Sequence, residues 1–94
     1  MKLLMLIVAE EKKEELEVFL SRAGAVGYTE IPRAIGMGAT GPRLGSGAFP
    51  KTSAVIFTVV EPAALETLAR HIEASFANSG ERVGAVAWDV ESIL

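Results

Sequence analysis

Four stretches of the chain have the hydrophobic pattern of β-strands. Residues 3–8, 53–60 and 83–90 are apolar at most successive positions, so they predict strands that avoid water on both faces. Residues 26–35 carry Tyr28, Ile31 and Ile35 and predict another strand. Pro32 interrupts this strand and predicts an edge or a bend, because proline has no amide to donate to a sheet.

Two helices are predicted between these strands. The first begins at the charged run 10–15 and ends before Gly24, and the second begins at Pro62 and ends at residues 78–80. Each has a single apolar face with helical spacing. The first face comprises Leu16, Phe19, Leu20 and Ala23, and the second Leu65, Leu68, Ala69, Ile72 and Phe76.

The order strand, helix, strand, strand, helix, strand predicts one α+β domain over residues 1–94. Its expected fold is the ferredoxin-like βαββαβ sandwich, with a four-stranded antiparallel sheet, two helices on one face, and a long loop between strands 2 and 3. Two helices cover only one face, yet three strands are apolar on both. The uncovered face therefore predicts assembly with other copies of the chain.

The composition of the chain argues against several classes of function. With 12 acidic and 9 basic residues the net charge is −3, which argues against nucleic acid held by charge. The chain has no cysteine, and its one histidine, His71, is predicted on the helix surface, so neither thiolate chemistry nor a histidine metal cluster is expected. No nucleophile and base pair stands out, so we predict a protein that is not an enzyme. The apolar run 3–9 is too short to cross a bilayer, so we expect a cytoplasmic protein without membrane insertion.

The segment 36–52 is the first candidate binding site. It holds five of the nine glycines, together with Arg43 and Lys51 and no carboxylate. Glycines let backbone amides approach an anion closely, so Gly36, Gly38 and Arg43 are candidate ligand-binding residues. The alternative is a mobile hairpin tip whose glycines serve only as turns.

The turn at residues 78–84 is the second candidate. The amides around Gly80 and the guanidinium of Arg82 match an oxyanion, so Gly80, Arg82 and Gly84 are candidate ligand-binding residues. Glu81 is expected to oppose anion binding by repulsion. The alternative is an ordinary helix stop followed by a solvated ion pair.

Nearly the whole chain resembles the PII family of trimeric signalling proteins. The resemblance is carried by KLLMLIV at residues 2–8, the Glu/Lys/Leu helix, AVGYT at 25–29 and Gly36-Met37-Gly38, similar to a Gly-aromatic-Gly motif of that family. It implies that residues 36–52 are a T-loop, which docks on a target enzyme or membrane transporter. It also implies that residues 78–84 are a B-loop, which binds ATP, ADP or AMP phosphates between the subunits of a homotrimer.

Several positions depart from the PII pattern. Ala39 stands where nitrogen-regulatory members carry a basic residue, the loop has no tyrosine, and Arg82 replaces paired lysines. The segment from Gly27 to Gly36 is one residue longer than usual, and we expect no counterpart of the basic C-terminal segment of PII after the fourth strand. We therefore expect a divergent PII-like regulator with altered or lost nucleotide affinity. The alternatives are a CutA-like or transporter-associated accessory module without nucleotide, or an ACT-like small-molecule-binding domain.

Overall fold

The computed structural model describes residues 1–38 and 41–94, so the departure expected at Ala39 lies outside the described residues. Within them, six strands and two α-helices follow one another along the chain. Their order is β1 (Lys2–Ala9), α1 (Lys13–Arg22), β2 (Thr29–Ala34), β3 (Gly36–Gly38), β4 (Gly41–Arg43), β5 (Ser53–Val60), α2 (Pro62–Phe76) and β6 (Gly84–Asp89). A 3-10 turn, Glu10–Lys12, joins β1 to α1.

Four strands form the main sheet in the order β2-β5-β1-β6, with every neighbouring pair antiparallel. The register places Leu6 of β1 between Ile56 of β5 and Ala85 of β6. A four-stranded antiparallel sheet with two helices confirms the predicted α+β arrangement. Two of the predicted strands are shorter in the structure: the second begins at Thr29 instead of residue 26, and the last spans Gly84–Asp89.

Both helices pack on the same face of the sheet. Alternate residues of β1 and β5 are buried there, as the period of a strand requires. They meet the apolar faces of the helices in one cluster of buried side chains. Its members are Leu4, Leu6, Val8, Leu16, Leu20, Ala54, Ile56, Val60, Leu68, Ile72 and Phe76. The predicted helix faces are thus confirmed at their central positions, while the exposed His71 lies beside Phe19, with ring centroids 6.4 Å apart.

The opposite face of the sheet is apolar and uncovered in the single chain. Leu3, Met5 and Ile7 of β1 lie beside the outward-facing residues of β5 and β6 in register. Those neighbours are Val55, Phe57, Val59, Val86 and Trp88. Val86 is 52% exposed and Trp88 43% exposed, values that are high for large apolar side chains in a sheet. The prediction of a second apolar face is therefore confirmed.

The segment between β2 and β5 is long, as expected, but it is more ordered than a glycine-rich loop predicts. Gly36–Gly38 pairs with Gly41–Arg43 as a small antiparallel ribbon, in which Met37 lies opposite Pro42. Beyond β4 the backbone closes on itself, because the amides of Leu44 and Ser46 both donate to the Phe49 carbonyl, at 3.3 and 3.0 Å. The amide of Gly45 donates to the Lys51 carbonyl at 3.2 Å.

Within the described residues, neither α1 nor α2 combines the length and the apolar composition that crossing a bilayer requires.

Candidate functional site

A cavity of about 490 Å³ lies where the glycine-rich segment meets the turn before β6. Its walls come from the end of β1, the ribbon of β3 and β4, the start of β5 and the start of β6. The lining residues are Ile7, Val8, Ala9, Ala34, Ile35, Gly36, Met37, Gly38, Gly41, Arg43, Ser53, Val55, Arg82, Val83 and Gly84. The two segments that are distant in the sequence therefore contribute to one concave site.

Five of the six predicted site residues lie in this wall: Gly36, Gly38, Arg43, Arg82 and Gly84. Gly80 does not line the cavity. It has φ +75°, a conformation that favours glycine, and it terminates the turn after α2. The structure thus gives Gly80 a role in the turn, and ligand binding by all six residues stays a prediction.

Gly36 and Gly38 are not required by the fold of the single chain. Neither has a positive φ, and a Cβ added to either would meet no atom of residues 1–38 and 41–94 within 4 Å. Strand interiors normally disfavour glycine because it packs nothing and loses the most entropy on folding. Two glycines at alternate positions of β3, at the cavity wall, therefore leave room for a group that comes close to the backbone.

The backbone amides of the turn after α2 are less available to an anion than the sequence predicts. The Ser79 hydroxyl accepts from the amide of Glu81 at 3.1 Å and donates to the Phe76 carbonyl at 3.0 Å. The Ser79 amide donates to the same carbonyl at 3.2 Å. The amides of Ser79 and Glu81 therefore already have partners in the single chain, and binding of an oxyanion by this turn stays a prediction.

Glu81 connects the two segments, a role that the sequence does not reveal. Its carboxylate accepts from Nη2 of Arg43 through Oε2, and its Oε1 lies 3.4 Å from Nζ of Lys51. The side chain of Glu81 is 10% exposed. The expected solvated Glu81–Arg82 pair is thus replaced by a part-buried contact with Arg43, 38 positions away, and an exposed one with Lys51, 30 positions away.

Arg43 is only partly satisfied by this contact. Its other terminal nitrogen, Nη1, is buried and has no hydrogen-bond partner among the described residues. A buried donor without an acceptor costs about 1–3 kcal/mol, and more when the group is charged. Among the lining residues Arg43 and Arg82 are charged and none is a carboxylate, so the wall is positively charged in a chain whose net charge is −3.

Glu10 makes hydrogen bonds to residues on both sides of the glycine-rich segment, Arg33 before it and Thr52 at its end. Its Oε1 accepts from the amide of Arg33 at 2.6 Å, at the irregular end of β2 where Arg33 has φ +53°. Its backbone amide donates to the Thr52 carbonyl at 3.2 Å, and its carboxylate lies 3.1 Å from Nζ of Lys13. Pro32 predicted a bend in this strand. The carboxylate of Glu10 connects the irregular end of β2 to the start of α1.

These contacts make Glu10 sensitive to pH. Partial burial alone would raise the pKa of its carboxyl, but the Arg33 amide and the Lys13 ammonium outweigh it and lower the pKa. A lowered pKa in the folded state adds stability above the unfolded value of the pKa, and this is lost as the pH falls through the folded value. We expect Glu10→Gln to lower the free energy of unfolding at neutral pH, and the difference from wild type to shrink towards zero as the pH falls through the lowered, folded-state pKa of Glu10. Urea unfolding at several pH values measures it.

Glu11→Gln is the matched control, because Glu11 is the exposed neighbour on the same turn. It should leave the pH dependence of unfolding as in wild type. Equal stability of wild type and Glu10→Gln at neutral pH would contradict the role given to Glu10.

No metal centre is formed by the described residues: nowhere in 1–38 or 41–94 do three histidine, aspartate or glutamate side chains converge closely enough to hold an ion.

Solved structures of other proteins share this fold. CPII from Thiomonas intermedia K12, a nitrogen regulatory PII-like protein bound to ADP, AMP and bicarbonate, aligns with a TM-score of 0.76 at 24% identity, covering 95% of this chain and 86% of that one. CPII bound to ADP and bicarbonate aligns with a TM-score of 0.75 at 25% identity and the same coverage. A protein of Thermus thermophilus classed as PII-like signalling gives 0.68 at 18% identity, covering 95% and 84%.

The sequence comparisons assign the family. No curated protein matches the chain. The family model described as Nitrogen regulatory protein P-II matches residues 1–91, which is nearly the entire sequence. The ferredoxin-like sheet, the long segment between β2 and β5 and the related solved structures agree with this match. The chain belongs to the nitrogen regulatory protein P-II family.

Proposed function

We propose that this protein is a non-enzymatic regulator that binds an adenosine phosphate in the 490 Å³ cavity and controls a partner protein through residues 36–52. The observation that carries the proposal is that the cavity joins the base of the glycine-rich segment to Arg82 in a single wall. A ligand bound there touches the segment that would contact the partner.

The chemistry of the wall fits an anion attached to a flat apolar group. The volume lies within the range of about 300–1,000 Å³ typical of small-molecule sites. Ile7, Val55 and Val83 provide apolar surface, while Arg82 and Arg43 provide guanidinium groups whose planar donors match phosphate oxygens. The related protein from Thiomonas intermedia K12 was solved with ADP, AMP and bicarbonate, so these three compounds, together with ATP, are the effectors to test.

A trimer would complete the site. Ile7 and Val55 belong both to the cavity wall and to the uncovered apolar face of the sheet. A second copy that packs on this face therefore also covers the mouth of the cavity. This supports a ligand cleft between subunits, as the PII resemblance implies.

The loop tip, which comprises residues 44–51, is suited to contact a partner. Leu44 and Phe49 are 41% and 46% exposed although the backbone between them is closed by hydrogen bonds. Exposed apolar side chains on an ordered loop are typical of recognition surfaces. The proposed partner is a target enzyme or a membrane transporter.

Arg82→Ala tests the placement of the phosphate. Arg82 is exposed at the cavity wall, so its loss should remove a charged hydrogen bond and leave the fold unchanged. Such a bond contributes about 1.5–3 kcal/mol, so ADP should bind roughly 10- to 100-fold more weakly in isothermal titration calorimetry.

Arg70→Ala is the control. It removes the same side chain from α2, where Arg70 pairs only with Glu66 in the described structure, and it should leave ADP affinity unchanged. If Arg82→Ala binds ADP as tightly as wild type, the phosphate lies elsewhere. If wild type binds none of ADP, AMP, ATP or bicarbonate at millimolar concentration, the proposed function is wrong.

A further inference from the structure

We propose that Glu81 is a built-in competitor of the anionic ligand: it occupies Arg43 in the unliganded protein and is displaced when a phosphate binds there. This inference rests on the proposed function, because it takes the cavity as the phosphate site. It assigns the regulation of that site to a carboxylate that the cavity wall itself does not contain.

The ion pairs of Glu81 connect the ligand cavity to the loop tip that would contact the partner. Arg43 is the last residue of β4 and lines the cavity, while Lys51 lies just before β5. Both pair with Glu81, so one carboxylate holds the two ends of the loop tip against the turn before β6. While these pairs exist, the loop tip is fixed to the body of the domain.

The arrangement of donors favours exchange over a permanent contact. Glu81 divides its two oxygens between Arg43 and Lys51, so it serves Nη2 of Arg43 and leaves Nη1 buried without a partner among the described residues. Arginine–carboxylate pairs are frequently bidentate, whereas Arg43 donates one hydrogen bond to Glu81. A phosphate group offers three oxygens and satisfies both terminal nitrogens at once.

Exchange of Glu81 for phosphate would move the loop. Once Arg43 turns to the ligand, Glu81 keeps only Lys51, the more exposed of its two partners. Exposed ion pairs are weak, so the restraint on the loop tip would be largely lost. The anion thus changes how the partner-binding segment is held, without contacting its tip.

Glu81→Gln tests both halves of this inference, with Glu73→Gln as the matched control. Glu73 is exposed on α2, outside the cavity wall, and its substitution makes the same change in net charge. Removal of the competitor should tighten ADP binding about tenfold in isothermal titration calorimetry. The control should bind ADP as wild type does.

Trypsin gives a readout that needs no ligand. It cuts after arginine and lysine, so the bonds 43–44 and 51–52 report directly on the two side chains that Glu81 holds. Cleavage by the protease follows local opening, so both bonds should be cut about tenfold faster in unliganded Glu81→Gln than in wild type or Glu73→Gln. Mass spectrometry of the fragments identifies the bonds. Cleavage after Arg70, which does not contact Glu81, is the internal reference.

The outcomes separate this inference from the proposed function. If Glu81→Gln binds ADP no more tightly than wild type does, the competitor role is wrong. The proposed function still stands in that case, as long as wild type binds ADP. Unchanged cleavage at both bonds shows that the ion pairs do not restrain the loop. If none of ADP, AMP, ATP and bicarbonate binds to wild type or to Glu81→Gln, the proposed function and the exchange both fail. Should Glu81→Gln not fold, Glu81→Asp, with the same charge and a shorter side chain, should shift both readouts in the same direction.

Discussion

Val86→Glu should convert the proposed trimer into monomers. Val86 lies on the uncovered face of the sheet, opposite Met5 in the register of β1 and β6, and it is 52% exposed in the single chain. In an assembly through this face the new carboxylate would be buried without a cation among apolar neighbours. Such a charge costs several kcal/mol, and symmetry repeats the cost in every copy. Light scattering after size exclusion at micromolar concentration should report the mass of one chain instead of three.

Val18→Glu is the control for Val86→Glu. Val18 is 47% exposed on α1, which packs on the other face of the sheet, so the same change in chemistry is made at similar exposure away from the proposed interface. It should leave the mass at three chains. Both variants should stay folded, because neither position belongs to the buried core. A wild-type protein that is already a monomer would refute the assembly.

Gly36→Val should abolish ADP binding without destabilising the protein. The position has an ordinary φ and open space around its missing Cβ, and β-branched residues are favoured in strands. The melting temperature should therefore stay the same or rise. The added side chain would take up the space that Gly36 leaves at the cavity wall, so calorimetry should detect no ADP binding at concentrations that saturate wild type.

Gly27→Val controls for the loss of a glycine. Gly27 also has no atom within 4 Å of an added Cβ and lacks a positive φ, but it precedes β2 and does not line the cavity. Its substitution should leave both the melting temperature and ADP affinity unchanged. If Gly36→Val binds ADP like wild type, the glycines of β3 do not serve ligand approach.

The regular elements follow from local patterns in the sequence. Residues 3–8 are apolar at every position, and alternate residues lie on opposite faces of the sheet. Leu4, Leu6 and Val8 face the helices. Leu3, Met5 and Ile7 belong to the second apolar face. The helical spacing likewise places Leu16 and Leu20 in the core. Because the sheet has only these two faces, the presence of an uncovered apolar face was also predictable.

The site was predictable only in part, because its central contact joins distant residues. Two cations without an acid in residues 36–52, and a lone Glu81 between Gly80 and Arg82, were visible signals of a pair. Which cation meets which acid depends on where the ribbon of β3 and β4 lies relative to the turn before β6, and no local pattern gives that. The ribbon itself was missed because glycine and proline in sequence indicate loops, while the cross-strand partners of Met37 and Pro42 are set by register.

The closed backbone of the loop tip affects the thermodynamics of partner binding. A disordered loop loses conformational entropy when a partner fixes it, by about 1–2 kcal/mol for each residue of backbone. Between Leu44 and Lys51 much of that ordering has already occurred in the free chain, because the amides of Leu44, Gly45 and Ser46 have carbonyl partners within the loop. The tip can therefore move as a preformed unit and dock with a smaller entropic penalty, so that its shape contributes to the choice of partner.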